Sequence, residues 1–183
     1  MPAAQSTLVL LAHPHLDSSR INAALAGAAR DCPTALVHDL YAACPDGHID
    51  VEREQRLLEE HNTIVLQFPF YWYSVPPLLK QWMDEVLLEG YAYGHGGDAL
   101  HGKTLQVVTT TGGPAASYRP AGYNRFSAVD LLLPLDATAH LIGMDYPDPL
   151  IFHGVRTWSD GDVRAAAARY RAFLDAPVRE AAA

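Results

Sequence analysis

Cysteine is nearly missing from this chain: Cys32 and Cys44 are the only two in 183 residues, and each is followed by proline. Two thiols in a chain this long make no disulfide framework and read as ordinary reduced thiols, and neither has a C-x-x-C partner, which disfavours a cysteine zinc site. Basic charge is scarce too. Lys and Arg number 13 against 21 Asp and Glu, a formal charge of −8, which argues against nucleic acid or an anionic membrane as the main partner. Long apolar runs are also lacking. Thr7 to Ala12 is too short for a signal-peptide core or a membrane span, and Asp130, Pro134, Asp136 and His140 interrupt the longest apolar region. The expectation is a reduced, soluble, cytoplasmic protein.

Several catalytic signatures are absent. There is no G-x-G-x-x-G, no G-x-x-x-x-G-K-[ST] and no G-x-S-x-G, which disfavours a glycine-fingerprint dinucleotide site, a nucleotide triphosphatase and a serine hydrolase. Nine histidines are present, but no three or four ligands fall at a metal-binding spacing. No metal is expected.

What is there alternates. Thr7 to Ala12, Ala35 to Leu40, Thr63 to Gln67, Thr104 to Thr111 and Leu150 to Phe152 are short apolar or β-branched runs that predict strands. Between them the spacing predicts helices over Ser19 to Arg30, Glu52 to His61, the segment bearing Leu79, Trp82, Met83, Val86 and Leu87, Phe126 to Ile142 with a bend at Pro134, and Asp162 to Leu174. Strands apolar on both faces that alternate with helices imply a parallel sheet covered on both sides. The predicted fold is α/β, a flavodoxin-like doubly wound five-stranded parallel sheet in the order 2-1-3-4-5. One domain is expected over residues 1–175, with a disordered tail over 176–183.

In such a fold ligands bind at the carboxyl ends of the strands, and three constellations lie there. His13-Pro14-His15-Leu16-Asp17-Ser18-Ser19-Arg20-Ile21-Asn22 leads from strand 1 into a helix, where hydroxyls, an amide and free N–H groups suit an anion such as a phosphate. Ser18 and Ser19 as plain helix caps are the simpler reading of that spacing. Pro69-Phe70-Tyr71-Trp72-Tyr73 follows strand 3. Its stiff aromatic surface suits a flat ligand such as a flavin, although one or two of these rings are expected in the core or at a subunit contact. Thr109-Thr110-Thr111-Gly112-Gly113 closes strand 4, and its glycines permit close backbone approach to a ligand. A fourth stretch, Tyr91 to Lys103, is a glycine-rich connection in which His95 is a candidate for a substrate mouth.

These pieces occur in one order with Leu100-His101-Gly102-Lys103 and with the run Phe68-Pro69-x-x-Trp72-Tyr73-Ser74-x-Pro76-Pro77-Leu78-Leu79-Lys80-x-Trp82 and Tyr91-Ala92-Tyr93-Gly94. Over roughly Leu8 to Leu174 that order resembles the flavodoxin-like NAD(P)H:quinone oxidoreductases. It is most similar to the small bacterial branch that includes the ancillary subunit of glutathione-gated potassium efflux systems. The resemblance implies a non-covalent FMN, or FAD as the alternative, with His13, Ser19, Arg20, Ile21 and Asn22 at its phosphate end. Phe70, Tyr71, Trp72, Tyr73 and Thr109, Thr110, Thr111, Gly112, Gly113 would lie at its ring. The long carboxyl-terminal extension of the mammalian members is lacking, which favours FMN.

The resemblance further implies NAD(P)H as hydride donor, a quinone-like acceptor and a homodimer. A Tyr and a His assist catalysis in mammalian members. Tyr118 falls at the tyrosine's spacing, whereas the histidine's lands on Asn124 beside Tyr123. Arg20, Arg119 and Arg125 are candidates for a 2′-phosphate. The activity implied is hydride transfer from NAD(P)H to flavin and then two-electron reduction of a quinone. The alternatives are a regulatory subunit bound to a potassium efflux membrane protein, hence peripheral to the inner membrane, and a flavodoxin-type electron carrier. The carrier is disfavoured because the T-x-T-G-x-T loop of flavodoxins is missing after strand 1.

Overall fold

The computed structural model describes residues 7–176; the expected tail, except Ala176, lies outside them. Five parallel strands form one sheet: β1 (Thr7–Leu11), β2 (Ala35–Asp39), β3 (Thr63–Pro69), β4 (Thr104–Thr111) and β5 (Leu150–His153), in the order β2-β1-β3-β4-β5. The predicted topology is therefore the observed one. Every strand pair is parallel, with Leu11 opposite Gln67, Pro69 opposite Thr110 and Thr111 opposite His153.

Alternate strand residues feed two cores, because successive side chains of a strand point to opposite faces. Leu8, Leu10, Ile64, Leu66, Phe68, Leu105 and Val107 face one side. There they pack on α2 (Leu40–Ala43), α3 (Val51–Glu60), α4 (Pro77–Val86) and α5 (Leu133–Leu141). Val9, Val65, Val108 and Phe152 face α1 (Arg20–Arg30) and α6 (Asp160–Asp175) on the other. Each fully buried Leu or Val contributes about 1.5–3 kcal/mol, so both faces hold their helices by burial. One polar cluster interrupts the first core. The Glu54 carboxylate accepts from Trp82 Nε1 at 2.9 Å and lies 2.9 Å from His38 Nε2, tying α3 to α4 and β2.

Helix boundaries follow their caps. The Ser19 hydroxyl accepts from Asn22 N–H and starts α1. Ser159 and Asp162 form a reciprocal capping box that starts α6, two residues ahead of the predicted start. The helix predicted from Phe126 is corrected: residues 126–129 are irregular, Asp130–Leu132 is a 3-10 turn, and α5 begins only at Leu133. Pro134 opens this helix rather than bending it, since proline lacks only an N–H that the first turn leaves unbonded anyway.

Candidate functional site

The three turns expected to matter leave the sheet side by side at its carboxyl edge. After β1, His13 is buried and its Nδ1 accepts from the His15 N–H at 3.1 Å. An imidazole that accepts at Nδ1 while neutral carries its proton on Nε2, so His13 has a donor left at Nε2. Burial first, and His15 second, hold its pKa below the ordinary histidine value, which keeps it neutral near pH 7. Ser18 donates to the His15 carbonyl, and only Ser19 caps α1.

Two predicted residues of this turn are engaged elsewhere. Ile21 is part of the core. Arg20 donates to the Trp158 carbonyl and pairs with Asp160 at the start of α6. An anion in the turn would have to compete for that guanidinium.

Asn22 is 3 % exposed and knits the turns together. Its Nδ2 donates to Thr110 Oγ1 at 3.1 Å, and its backbone carbonyl accepts from Gln67 Nε2 at 3.1 Å. Asn22 Oδ1 and Gln67 Oε1 are buried with no partner among the described residues. Buried polar atoms are nearly always satisfied, so two unpaired acceptors beside three converging turns mark a place where a hydrogen-bonding group is wanted.

After β3 the chain makes a two-residue turn. Tyr71 and Ser74 exchange backbone hydrogen bonds of 3.1 and 2.9 Å around Trp72 and Tyr73, whose φ values are 48° and 62°. Positive φ at both central residues is usually supplied by Asn-Gly or Gly-Gly, and a large side chain there costs about 1–2 kcal/mol per residue. Strain of this kind concentrates at functional sites. The turn leaves the Trp72 and Tyr73 N–H groups without an acceptor among the described residues. Trp72 projects with 93 % of its surface exposed. The Phe70 N–H donates to the Thr110 carbonyl, which fastens this turn to β4.

After β4 the Gly112 and Gly113 N–H groups are likewise unspent among the described residues. The glycines also make room for this chain's own side chains, which the sequence did not suggest. A Cβ on Gly112 would sit 2.6 Å from Arg156 Nε, and one on Gly113 would meet the Tyr118 ring at 3.4 Å. Thr109 donates to the Phe68 carbonyl, and Thr111 to the Gly113 carbonyl.

Tyr118 lies where the turn folds back. Its ring centroid is 6.3 Å from that of Phe70 and 5.3 Å from that of His153, and Phe70 is 6.4 Å from Tyr73. Four rings thus run from the strained turn to the end of β5. Asn124 is not near a histidine role: its Oδ1 accepts from the Tyr73 hydroxyl at 3.1 Å.

His153 and Arg156 were missed in the sequence because the signal was too short: β5 is four residues long and its end carries no motif. The one available signal was the rule that ligands bind outside the carboxyl ends of the strands, which reaches β5 although it is an edge strand. His95 is exposed among tight turns, in a segment fastened to α3 through Tyr91 and Lys103. Among the described residues no group of three or more metal-ligating side chains occurs, Cys32 and Cys44 are free, and no helix is long and apolar enough to cross a membrane.

Comparison with known proteins gives this site its setting. The chain is 48% identical over 164 residues to the uncharacterized NAD(P)H oxidoreductase YdeQ of Bacillus subtilis, covering 90% of this chain and 83% of that one. It is 42% identical over 178 residues to the potassium-efflux ancillary protein KefG of Cronobacter sakazakii, covering 97% of both. Three solved structures superpose on it closely. A chain described as a thermophilic tryptophan halogenase of Streptomycin violaceusniger has a TM-score of 0.91 at 44% identity, over 93% of this chain and 99% of that one. General stress protein 14 of Treponema denticola, in complex with FMN, has a TM-score of 0.88 at 42% identity, over 93% and 98%. An NADPH-quinone reductase of P. pentosaceus has a TM-score of 0.86 at 31% identity, over 94% and 99%. With the flavodoxin-like fold model matching residues 5–174, this chain belongs to the flavodoxin-like fold family.

Proposed function

We propose that this chain binds FMN in the cradle formed by the three turns and passes reducing equivalents from NAD(P)H to a quinone-class acceptor. The observation that carries the reading is the strained Trp72–Tyr73 turn with its unspent N–H groups, set beside the equally unspent Gly112–Gly113 turn. A flat ring with several acceptor atoms on one edge fits such a pair of donor rows, and the FMN complex of the 42%-identical stress protein supports that identity. The unpaired Asn22 Oδ1 and Gln67 Oε1 provide acceptors for the ligand's own donors. FAD is the less favoured cofactor.

Bound FMN would supply the two-electron redox chemistry, taking a hydride from the nicotinamide and giving two electrons to the acceptor. The rest falls to the residues of this chain. His13 Nε2–H, the Ser19 hydroxyl and the Arg20 and Ile21 N–H groups, which the helix leaves without an acceptor, would hold the phosphate end; the Arg20 side chain would join them only by releasing Asp160. The free main-chain N–H groups of Trp72, Tyr73, Gly112 and Gly113 would hold the ring and stabilise negative charge on its polar edge. Trp72 and Tyr73 screen the reacting face from water. The Tyr118 hydroxyl donates to the acceptor's oxygen.

One slot used in turn by nicotinamide and acceptor gives ping-pong kinetics. With FMN-loaded protein, NAD(P)H and menadione, double-reciprocal plots should be parallel; intersecting lines, or no turnover by fully loaded protein, would refute the proposal.

A homodimer is part of the same reading. Trp72, Tyr123, Phe126, Val129 and Leu133 are exposed apolar side chains from the 70–74 turn and the 123–133 segment, two stretches that the Tyr73–Asn124 hydrogen bond ties together. Apolar exposure of this extent commonly marks a contact surface, and sedimentation should give twice the chain mass. The similarity to KefG favours a second role, as an ancillary subunit at a potassium efflux membrane protein. Co-purification with such a transporter tests it.

A further inference from the structure

We propose that His153 is a positioning residue for Tyr118, held by Thr111 in the tautomer that leaves its Nε2 open, and that it couples proton uptake to the strength of the Tyr118 donor. In its use of a quinone acceptor the inference rests on the proposed function; in its tautomer and coupling it does not.

The hydrogen count fixes the tautomer. Thr111 Oγ1 lies 2.9 Å from the Gly113 carbonyl and 2.9 Å from His153 Nδ1. A hydroxyl has one proton, and a carbonyl can only accept. Thr111 therefore donates to Gly113 and accepts from His153 Nδ1–H. Protonation of His153 takes place at Nε2, and its ring is locked at the Nδ1 end. The backbone reinforces the lock, since the Gly154 N–H donates to the Gly113 carbonyl at 2.8 Å. β5 and the residue after it thus clamp the glycine turn through two adjacent contacts.

The imidazole lies 5.3 Å, centroid to centroid, from the Tyr118 ring, with the planes 38° apart. A cation at that separation is attracted to an aromatic face and withdraws electron density from the phenol, so protonated His153 makes the Tyr118 O–H the stronger donor. Burial lowers the His153 pKa and no charged partner offsets it. From β4 and its turn the polar neighbours are Thr111 and Tyr118; from the segment after β5, the Arg156 guanidinium packs on Gly112. With burial as the cause, proton uptake occurs below the usual histidine range. The proton comes from solvent and returns there, and no bond other than N–H forms or breaks.

Two measurements test this. The first uses the full chain without substrate. Two-bond proton–nitrogen correlation spectra of 15N-histidine-labelled protein should show His153 as the Nδ1–H tautomer. Its titration midpoint should lie below 6.5 and be mirrored in the Tyr118 ring resonances. His153→Gln should abolish that mirrored shift. An Nε2–H tautomer, or Tyr118 resonances indifferent to His153, overturns the proposal whatever the enzyme reduces.

The second is a double-mutant cycle on kcat/KM for menadione. His153→Gln should lower it about tenfold, within the range for directly coupled neighbours, and should flatten the acid limb of its pH profile. In a Tyr118→Phe background the same change should do little. Equal losses in both backgrounds would show that His153 does not act through Tyr118. Absence of menadione reduction by FMN-loaded wild type would refute the proposed function instead and leave the spectroscopic result standing.

Discussion

The Asn22 side-chain amide donates to the Thr110 hydroxyl at 3.1 Å, joining the first turn of α1 to the carboxyl end of β4 through the interior of the molecule. The pair is buried on both sides, so neither residue can recover a lost partner from bulk water. Asn22→Ala strands the Thr110 hydroxyl and should lower unfolding stability by about 1–3 kcal/mol. Thr110→Val strands the amide and should cost a similar amount. The double variant should cost clearly less than the sum, because the second change removes a group the first has already left unpaired. Urea unfolding of the four proteins checks this.

Trp72 occupies a left-handed conformation with its ring in solvent. Its replacement by glycine removes strain and no packing, so Trp72→Gly should match or exceed wild-type stability in the flavin-free protein. Trp72→Val, with a branched side chain at φ 48°, should be less stable than wild type, because β-branching adds to the left-handed cost Trp72 already bears. Both should weaken FMN binding, measured by flavin fluorescence, because the glycine frees the donor row and the valine distorts it. Stability and affinity moving together in Trp72→Gly would show that the strain has no binding role.

Gly112 and Arg156 share one volume. A Cβ at position 112 would meet the flexible end of Arg156 at 2.6 Å, so Gly112→Ala should displace the guanidinium. Such a shift should leave stability within about 0.5 kcal/mol, as for most exposed changes. Loss of a cation beside the glycine turn disfavours the reduced, more negative cofactor, so the midpoint potential should become more negative. Arg156→Gln should give the same change, and the double variant no more than either. Dye-equilibration measurements of the potential decide it.

His13 and His153 both have pKa values lowered by burial. The unfolded chain therefore binds protons more readily than the folded one as pH falls below about 6.5. Stability should be flat with respect to these groups above pH 7 and should decline through the slightly acid range. His13→Asn and His153→Gln should each flatten that decline. Thermal unfolding from pH 5 to 8 checks the sign, and stability rising on acidification through this window would contradict it.

The layered fold was legible in the sequence because five apolar runs alternate with helical periodicity, and a strand order follows from few rules once alternation is seen. The 126–132 segment was misread because the stretch is rich in Leu and Ala, good helix formers, while Ser127 and Asp130 bond each other locally and hold the chain irregular. The three turns were expected to lie together from their position alone, and the fold places them side by side at one edge of the sheet. What spacing could not reveal is which side chains answer which. Arg20 is spent on Asp160, Gly112 admits Arg156, and the imidazole beside Tyr118 comes from 35 residues further along the chain. Such pairings depend on tertiary approach between α1 and α6 and between the ends of β4 and β5, which no local pattern encodes.

The central claim is that the turns after β1, β3 and β4 together hold one FMN. Its most direct test is to saturate the purified chain with FMN, remove the excess, record the visible spectrum and identify the chromophore released by heat. The account predicts a yellow protein carrying one FMN per chain, and an Asn22→Ala variant that retains substantially less. A colourless wild type that binds neither FMN nor FAD at saturating concentration would contradict it.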